Sequence, residues 1–402
     1  MIQLSDIHSA LNRIRADIRI SPCTHSETFS GLTRNSIFLK LDNQQRTGAF
    51  KERGALNKLL TLNPEERAHG VIAASAGNHA QGVSYHAGRH GIRARIVMPL
   101  PTPLTKVSAT RAYGAEVLLH GANYDEAYGK AIELSEQDRL TLIHAFDDDE
   151  VIAGQGTLGL EILSQNAEIE AVVSPIGGGG LIGGIACAVK ETNPKVKVYG
   201  VQPARLPSMK AAVAQGKPVT LDSAKTIADG IAVRRAGERT RPLVQKYVDD
   251  IVTVEEEEIA NAILLLLERE KTLAEGAGAA AIAAVLNRKL ALQDKRVAVL
   301  VCGGNIDVTL LARIIERGLV KDGRLVRLRV HLPDYPGALH RLTGILADHR
   351  ANIVETAYDR AYHGVTLGDT AIDITMETRG PEHISELLTA LVAAGYPHER
   401  IL

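Results

Sequence analysis

The stretch AVVSPIGGGGLIGG, residues 171–184, decides the fold. A short apolar run rich in β-branched residues ends in four consecutive glycines, and a helix-like segment follows. Glycines let the backbone approach an anion closely, and the N–H groups at a helix start favour a phosphate there. The pattern therefore predicts a strand, a phosphate-binding loop and a helix. A glycine turn without any ligand is the less favoured interpretation.

Comparable strand-like runs recur along the chain, and each precedes a turn and a helix-like stretch. They read GVIAAS, ARIVMP, AEVLLHG, KVYGVQ, DIVTV and RVAVLV. This alternation predicts an α/β fold with parallel sheets covered by helices. Near residue 323 the pattern changes, because a two-residue alternation of apolar side chains begins at Val326. The remaining chain predicts a separate βαββαβ, ferredoxin-like unit.

The composition excludes several classes of protein. The 402 residues carry a net charge of only −1, so neither nucleic acid nor an anionic membrane is an expected partner. No apolar run approaches the roughly 18 residues that span a bilayer, and the chain starts as an amphipathic helix rather than a signal peptide. Three distant cysteines, Cys23, Cys187 and Cys302, argue against a disulfide framework and a structural zinc site. We therefore expect a cytoplasmic protein.

One lysine stands out in TGAFKERGAL, residues 47–56. If Ala55, Leu56, Leu59 and Leu60 face a core at helical spacing, Lys51 lies at the margin of that apolar stripe. A lysine near an apolar surface whose pKa is depressed is suited to Schiff-base chemistry. Taken alone, a surface lysine whose stem covers apolar neighbours explains the position more simply.

Two further motifs combine with Lys51 and the glycine loop. ASAGNHAQG, residues 74–82, is a helix start that could hold a carboxylate or a phosphate, or serve only as a helix cap. In LVCGGNID, residues 300–307, Cys302 follows a buried-strand pattern and would ordinarily be a small core residue. Together the four features suggest pyridoxal phosphate. Dinucleotide binding is the rival interpretation, but Gln202 stands where an acidic ribose ligand is expected.

The motifs follow one another in an order that resembles a known family. QRTGAFKERGA, SAGNHAQG, DDDEVIAGQGTLGLEI, PIGGGGLIGGIA, ADGIAV, TLAEGAGA and CGGNID make residues 5–320 resemble the threonine ammonia-lyases (threonine dehydratases). These are pyridoxal-phosphate enzymes of the tryptophan synthase β type (fold type II). The tail, with LPDYPGALHRLTGIL, is similar to an ACT domain, a regulatory module that commonly binds amino acids.

The resemblance implies a domain organisation and an assembly. A large catalytic domain that binds pyridoxal phosphate would comprise residues 1–44 and 149–322. A small catalytic domain would comprise residues 45–148, and an ACT-like regulatory domain residues 323–402. A homodimer or homotetramer is expected.

The resemblance also implies a role for each site residue. Lys51 would hold the cofactor as a Schiff base and move the α-proton of the substrate. Phe50 would lie beside the cofactor ring, Asn78 would bind the ring oxygen, and Cys302 would contact the pyridine nitrogen. The cofactor phosphate would be cradled by Gly177, Gly178, Gly179, Gly180 and Leu181. The substrate carboxylate would be received by Ser75, Ala76, Gly77, Asn78 and His79.

The implied reaction converts L-threonine to 2-oxobutyrate and ammonia, with L-serine as a second substrate. A thiol beside the pyridine nitrogen, instead of an aspartate, favours elimination over transamination. A serine-preferring dehydratase stays open, because one methyl group is worth only roughly 1–3 kcal/mol of discrimination. Serine racemase is less favoured, because Ala76 replaces the serine that racemases of this family carry. A dehydrogenase that uses NAD and a non-catalytic amino-acid sensor are the remaining alternatives.

Two expectations concern metals and effectors. Gln202 and Ser208 stand where related racemases have carboxylate ligands, so no essential divalent metal is expected. Asp334, Pro336, Gly337 and Leu339, with Asn352 and Ile353, are expected to border an amino-acid effector site, for isoleucine or valine. A dimerisation module without an effector is the alternative for the tail.

Overall fold

The computed structural model describes residues 1–359 and 368–401. The chain divides into two compact units, Met1–Asp307 and Val308–Leu402. The second unit thus includes a helix that precedes residue 323, where the sequence placed the start of the tail. Leu402, the last residue of the predicted terminal strand, lies outside the described residues. The division of the first unit into a large and a small catalytic domain stays a prediction.

Strands and helices alternate along the first unit. Its strands are β1 (Cys23–His25), β2 (Ser36–Leu41), β3 (Val71–Ala74), β4 (Ala94–Met98), β5 (Glu116–Leu119), β6 (Thr141–Leu142), β7 (Ala171–Pro175), β8 (Lys197–Pro203), β9 (Asp250–Val254) and β10 (Arg296–Val301). Its helices are α1 (Leu4–Ile14), α2 (Glu27–Thr33), α3 (Lys51–Leu60), α4 (Pro64–His69), α5 (Asn78–Arg89), α6 (Leu104–Ala112), α7 (Tyr124–Gln137), α8 (Asp149–Gln165), α9 (Gly180–Thr192), α10 (Ser208–Gln215), α11 (Thr240–Tyr247), α12 (Glu256–Glu270) and α13 (Gly276–Leu286). No helix within residues 1–359 and 368–401 is long and apolar enough to cross a membrane.

The larger sheet of this unit has the strand order β1-β2-β10-β7-β8-β9. Its strands run parallel except for β1, which pairs antiparallel with β2. The predicted parallel α/β architecture is confirmed. The sequence did not predict β1 and β2, because β1 has only three residues and β2 contains Lys40, a charged residue that is fully buried.

The smaller sheet has the order β5-β4-β3-β6 and is entirely parallel. Strand β3 is buried on both faces: Val71 and Ala73 pack in one apolar cluster, while Ile72 and Ala74 pack in another. Burial on both faces explains why β3 reads as a continuous apolar run without alternation.

The ends of three strands determine where the candidate site lies. Strand β3 leads through residues 75–77 into α5, and β7 leads through the glycine loop into α9. Strand β10 ends directly before Cys302. Ligands of open parallel sheets bind outside the carboxyl ends of the strands, so these three ends are the expected position of a site.

The second unit begins with α14 (Val308–Lys321) and continues as a βαββαβ fold. Its remaining elements are β11 (Leu325–Pro333), α15 (Ala338–Asp348), β12 (Asn352–Asp359), β13 (Asp369–Glu377), α16 (Pro381–Ala393) and β14 (His398–Ile401). The sheet order is β12-β13-β11-β14, and each pair is antiparallel. Apolar residues of β11 and β13 form the core with those of α15 and α16. The ferredoxin-like prediction for the tail is confirmed.

Candidate active site

Lys51 is the first residue of α3, the helix whose apolar face was predicted from spacing. Ala55, Leu56 and Leu59 are fully buried, and Leu60 is half-buried. The Lys51 Nζ donates a hydrogen bond of 2.8 Å to the Ala145 carbonyl oxygen. Burial of the amine lowers its pKa to about 8, because an ammonium loses its hydration there. A substantial fraction of the amine is therefore unprotonated at slightly alkaline pH.

A buried ionic cluster anchors α3 two residues after Lys51. The Arg53 guanidinium donates to both oxygens of Asp42, at 2.8 and 2.9 Å, and to both oxygens of Glu161, at 2.6 and 3.0 Å. Lys40 Nζ donates to Glu161 at 2.7 Å. Lys40, Asp42 and Arg53 are fully buried. These paired charges fix α3, and hence the start of the helix that carries Lys51, against β2 and α8.

Residues 143–147, which follow β6, contact several elements of the site in succession. His79 Nε2 donates to the Ile143 carbonyl oxygen at 2.9 Å. The Ala145 carbonyl oxygen accepts from Lys51 Nζ. The ring of the fourth, Phe146, packs against Gly178. The carboxylate of the fifth, Asp147, accepts hydrogen bonds from backbone N–H groups at the start of α11. Sequence reasoning missed this segment, because its contacts are made with distant parts of the chain.

The glycine loop lies against Phe146 where side chains would not fit. A Cβ at Gly178 would overlap the Phe146 ring, and a Cβ at Gly180 would lie 2.7 Å from the Phe146 carbonyl oxygen. Gly179 is the N-cap of α9 with φ +97°, a conformation that favours glycine. Leu181 is buried in the first turn. The first N–H groups of a helix lack partners within the helix, so this loop is suited to bind a phosphate.

Asn78 begins α5 and is held by two side chains. Its Nδ2 donates to Glu275 Oε1 at 2.7 Å, and its Oδ1 accepts from Asn305 Nδ2 at 2.8 Å. The preceding residues 75–77 form a turn in which Ser75 Oγ accepts from the Gly77 N–H at 3.1 Å. Glu275 and Asn305 lie within motifs noted in the sequence, but their pairing with Asn78 could only be seen in the structure.

Cys302 lies beside the chain that leads to Lys51. Its carbonyl oxygen accepts the Phe50 N–H at 2.9 Å, and Cys302 is only 1% exposed. Burial raises the pKa of its thiol well above the ordinary value. The Phe50 ring is buried, with its centroid 5.1 Å from Lys51 Nζ. Cys302 is therefore a neutral thiol near neutral pH.

His79 is a neutral, buried imidazole at the start of α5. Burial, and secondly the nearby Lys51 charge, lower its pKa to about 3. Its Nε2 is the donor to residue 143, so Nδ1 is an unprotonated acceptor, and no described residue donates to it. The side chain therefore adds no positive charge to the α5 terminus, where the backbone N–H groups are the available donors.

Gln202 and Ser208 bind neighbouring backbone groups. Gln202 Oε1 accepts from the Lys210 N–H at 2.9 Å, and Ser208 Oγ donates to the Val233 carbonyl oxygen at 2.5 Å. The expectation of no essential divalent metal stays a prediction.

The predicted effector segments lie at opposite ends of the second unit's sheet. Residues 334–339 follow Pro333, which pairs with Asp369, whereas Asn352 pairs with Glu377 at the other end of β13. Eight residues of strand separate these ends by about 26 Å, at about 3.3 Å per residue. A single amino acid therefore does not contact both segments of one chain.

The packing of the glycine loop predicts a cofactor-binding defect in Gly178→Ala. The added methyl group displaces Phe146 and the loop, so we expect the dissociation constant for pyridoxal phosphate to rise at least about tenfold. Gly183→Ala, on the helix that follows the loop, is the matched control, because its Cβ would lie 3.4 Å from Leu243, an ordinary contact. Cofactor titration followed by absorbance measures both variants. Equal affinities would show that the loop geometry does not control binding.

Glu275 predicts a specific dependence of stability on pH. Burial, and secondly the Asp229 charge, raise the pKa of this carboxyl to about 7 from 4.5. The folded protein binds the Glu275 proton more tightly than the unfolded chain does, and this binding stabilises the fold. The stabilisation is complete below pH 4.5 and is lost as pH rises to about 7. Relative to Glu275→Gln, the wild type should lose about 3 kcal/mol of unfolding free energy over that window. Denaturant unfolding of cofactor-free protein at pH 5 and 8 measures this difference, and an equal change in both proteins would refute it.

Comparison with protein families matches residues 14–303 to the pyridoxal-phosphate dependent enzymes. An L-threonine ammonia-lyase of Thermotoga maritima is 48% identical over 396 residues, which cover 98% of this chain and 98% of that protein.

Two solved structures are similar to this chain. A processed threonine deaminase isoform from Solanum lycopersicum is 38% identical, with a TM-score of 0.73. The match covers 78% of this chain and 93% of the deaminase chain. A maize serine racemase is 33% identical, covers 79% of this chain and 98% of its own, and has a TM-score of 0.74.

Proposed function

The chain belongs to the family of pyridoxal-phosphate-dependent enzymes, and we propose that it is an ammonia-lyase that converts L-threonine to 2-oxobutyrate and ammonia. The observation that carries this proposal is Lys51, whose amine has a pKa of about 8 and is held by a backbone carbonyl next to the glycine loop. The similarity to an L-threonine ammonia-lyase over nearly the full length of both chains supports the choice of substrate.

The residues of the site fit pyridoxal phosphate. A glycine loop that would not admit side chains precedes α9 and suits the phosphate group, while Lys51 supplies a primary amine. Asn78 retains one N–H that would bind a ring oxygen, and the neutral Cys302 thiol would face the ring nitrogen. When bound, this cofactor supplies an aldehyde that reacts with amines and a ring that withdraws electrons from the α-carbon of an amino acid.

We assign the proton transfers to Lys51 Nζ. Its lowered pKa leaves a free amine available to accept the α-proton of L-threonine, which an ordinary lysine near pH 7 would seldom provide. The Ala145 carbonyl oxygen accepts a hydrogen bond from this nitrogen and fixes its position. The buried ionic cluster holds the helix that carries it. Together these contacts hold the Lys51 amine in one position, both for binding the cofactor and for accepting the α-proton.

We assign the substrate carboxylate to the start of α5. Ser75 and the backbone N–H groups of residues 76–79 lie at a helix terminus, where the helix dipole favours an anion. His79 stays neutral, so recognition here relies on backbone donors.

Loss of the β-hydroxyl as water then yields an aminocrotonate, and its hydrolysis gives 2-oxobutyrate and ammonia.

Cys302 favours elimination over other reactions of the same α-carbon. Its thiol is neutral and would place no negative charge beside the ring nitrogen, so the ring would withdraw electrons from the substrate α-carbon less strongly. Ala76 offers no hydroxyl to reprotonate the opposite face of the substrate. Both features support a lyase over a racemase, although the maize serine racemase has the same fold.

The proposed activity is tested by incubating the protein with pyridoxal phosphate and L-threonine or L-serine. We expect 2-oxobutyrate from L-threonine, pyruvate from L-serine, and the higher kcat/KM for L-threonine. Chiral chromatography of residual serine serves as the racemase test. Formation of D-serine without keto acid would contradict the lyase, and a higher kcat/KM for L-serine would replace it with a serine-preferring dehydratase.

For the second unit we propose an ACT-like role in which two copies of the chain form the amino-acid effector site. The separation of about 26 Å between residues 334–339 and Asn352 supports a site that takes one segment from each copy. A homodimer or homotetramer would supply that arrangement. The three free thiols support a reducing compartment, and we propose the cytoplasm.

Calorimetric titration tests the effector proposal. L-isoleucine or L-valine should release or absorb heat on binding to the full-length protein, while D-isoleucine serves as the stereochemical control. Asn352→Ala and Leu339→Glu should each remove the binding, because each alters one of the two segments. Absence of heat with every branched amino acid would leave the second unit as a dimerisation module.

A further inference from the structure

Glu275 is a buried carboxyl that the proposed mechanism does not use. It is the N-cap residue of α13 and is only 5% exposed. Its Oε1 lies against two glycines: a Cβ at Gly303 would overlap it, and a Cβ at Gly230 would lie 3.2 Å away. The Glu275 N–H also donates to the Gly303 carbonyl oxygen at 3.0 Å. The position of the carboxyl is therefore fixed by close packing as well as by hydrogen bonds.

A directed chain of hydrogen bonds connects Glu275 with Asn78. Asn305 Nδ2 donates to the Thr47 carbonyl oxygen at 2.7 Å and to Asn78 Oδ1 at 2.8 Å. Since a carbonyl oxygen can only accept, the bond to Thr47 fixes the orientation of the Asn305 amide. Asn78 must then present Oδ1 to Asn305 and Nδ2 to Glu275, which accepts at 2.7 Å. One N–H of Asn78 Nδ2 stays available for a ligand.

We propose that Glu275 is a positioning residue that, through Asn78 and Asn305, orients the free Asn78 N–H toward the ring oxygen of pyridoxal phosphate. Ionised Glu275 holds this orientation more firmly than neutral Glu275. This inference rests on the proposed function, because it assigns the contact between Asn78 and the cofactor.

The charges around Glu275 support a titration near neutral pH. Asp229 raises the pKa of the carboxyl, whereas Lys106 and Lys51 lower it, and burial is the largest effect, so the pKa is about 7. The Cys302 thiol also interacts electrostatically with it. An ionised carboxylate accepts from Asn78 in a charge-assisted bond, roughly twice as strong as a neutral one. A neutral carboxyl also carries a hydroxyl that competes for acceptors.

The test measures the absorbance spectrum of the holoenzyme between pH 5.5 and 9. A hydrogen bond to the ring oxygen changes the balance between the cofactor's long- and short-wavelength bands, and Lys51 does not titrate freely while it is bound to the cofactor. In the wild type this balance should change with a midpoint near 7. Glu275→Gln should abolish that transition. Glu255→Gln, which alters the exposed N-cap of α12, should retain it.

A second measurement follows the loss of cofactor from the holoenzyme on dialysis. Glu275→Gln and Asn305→Ala should each release cofactor about tenfold faster, the size of effect expected for the loss of one hydrogen bond, while Glu255→Gln should match the wild type. Asn305→Ala tests the chain from its other end if Glu275→Gln fails to fold. A wild-type transition near pH 7 in Glu275→Gln, or a wild-type rate of cofactor loss in Asn305→Ala, would overturn the proposal.

Assay of 2-oxobutyrate with the same preparations separates this inference from the proposed function. If the wild type releases the keto acid but Glu275→Gln has the wild-type spectral transition, the positioning role fails and the lyase stands. If the spectral transition depends on Glu275 but L-threonine yields no keto acid, the positioning role stands and the lyase fails.

Discussion

Replacement of Lys51 by alanine is expected to reduce the release of 2-oxobutyrate from L-threonine by at least about 10³-fold. The variant lacks both the amine that binds the cofactor and the base that accepts the α-proton. Since Lys51 is half-buried and its Nζ makes a single hydrogen bond to a carbonyl oxygen, its loss should disturb the fold little. The measurement is kcat for keto-acid formation with saturating pyridoxal phosphate.

Two variants show whether the effect belongs to the amine. Lys51→Arg keeps a cation but has no primary amine, so it should be as inactive as Lys51→Ala. Lys58→Ala removes a second lysine from the same helix, where Lys58 Nζ pairs with Asp148 at 2.7 Å, and it should retain activity within about twofold. Substantial turnover by Lys51→Arg would contradict the assigned role.

Arg53→Ala is expected to lower the free energy of unfolding of the first unit by about 3–5 kcal/mol. The substitution leaves Asp42 and Glu161 as buried carboxylates without the guanidinium that binds both of them. Asp42 is fully buried, so its unpaired charge is costly. Denaturant unfolding followed by circular dichroism measures the loss. Cofactor affinity should fall as well, because α3 carries Lys51.

Arg296→Ala is the matched control for this loss of stability. Arg296 pairs with Glu168 at 2.7 Å, but both side chains are about half exposed or more, so its removal should cost at most about 1 kcal/mol. If Arg53→Ala proves no more destabilising than Arg296→Ala, the buried ionic cluster does not anchor α3.

The fold was largely predictable because its strands carry local signals. The runs that form β3, β7 and β10 are short, apolar and bounded by turns, and the alternation from Val326 marks β11. The sequence missed β2 because Lys40 interrupts its apolar pattern. That lysine is buried through its pairing with Glu161, a residue 121 positions away, and spacing along the chain does not reveal such a pairing.

The candidate site, like the fold, was predictable only where the signal is local in the sequence. Lys51, Asn78, the glycine loop and Cys302 belong to motifs that are visible in the sequence, and their combination and the family resemblance predicted their roles. Glu275 lies 197 positions from Asn78, so the bond between their side chains depends on the tertiary fold. Segment 143–147 was missed because its backbone carbonyls and the Phe146 ring contact residues that are distant in the sequence. The distance between the two predicted effector segments also became known only from the strand register in the structure.

The most direct test of the central claim is to locate the bound cofactor on the chain. Borohydride reduction of the holoenzyme fixes the cofactor to the lysine that carries it, and mass spectrometry of the digested protein identifies that residue. We predict a phosphopyridoxyl group on Lys51 alone. Modification of another lysine, such as Lys40 or Lys58, or of none, would contradict the assignment of this site and of the reaction built on it.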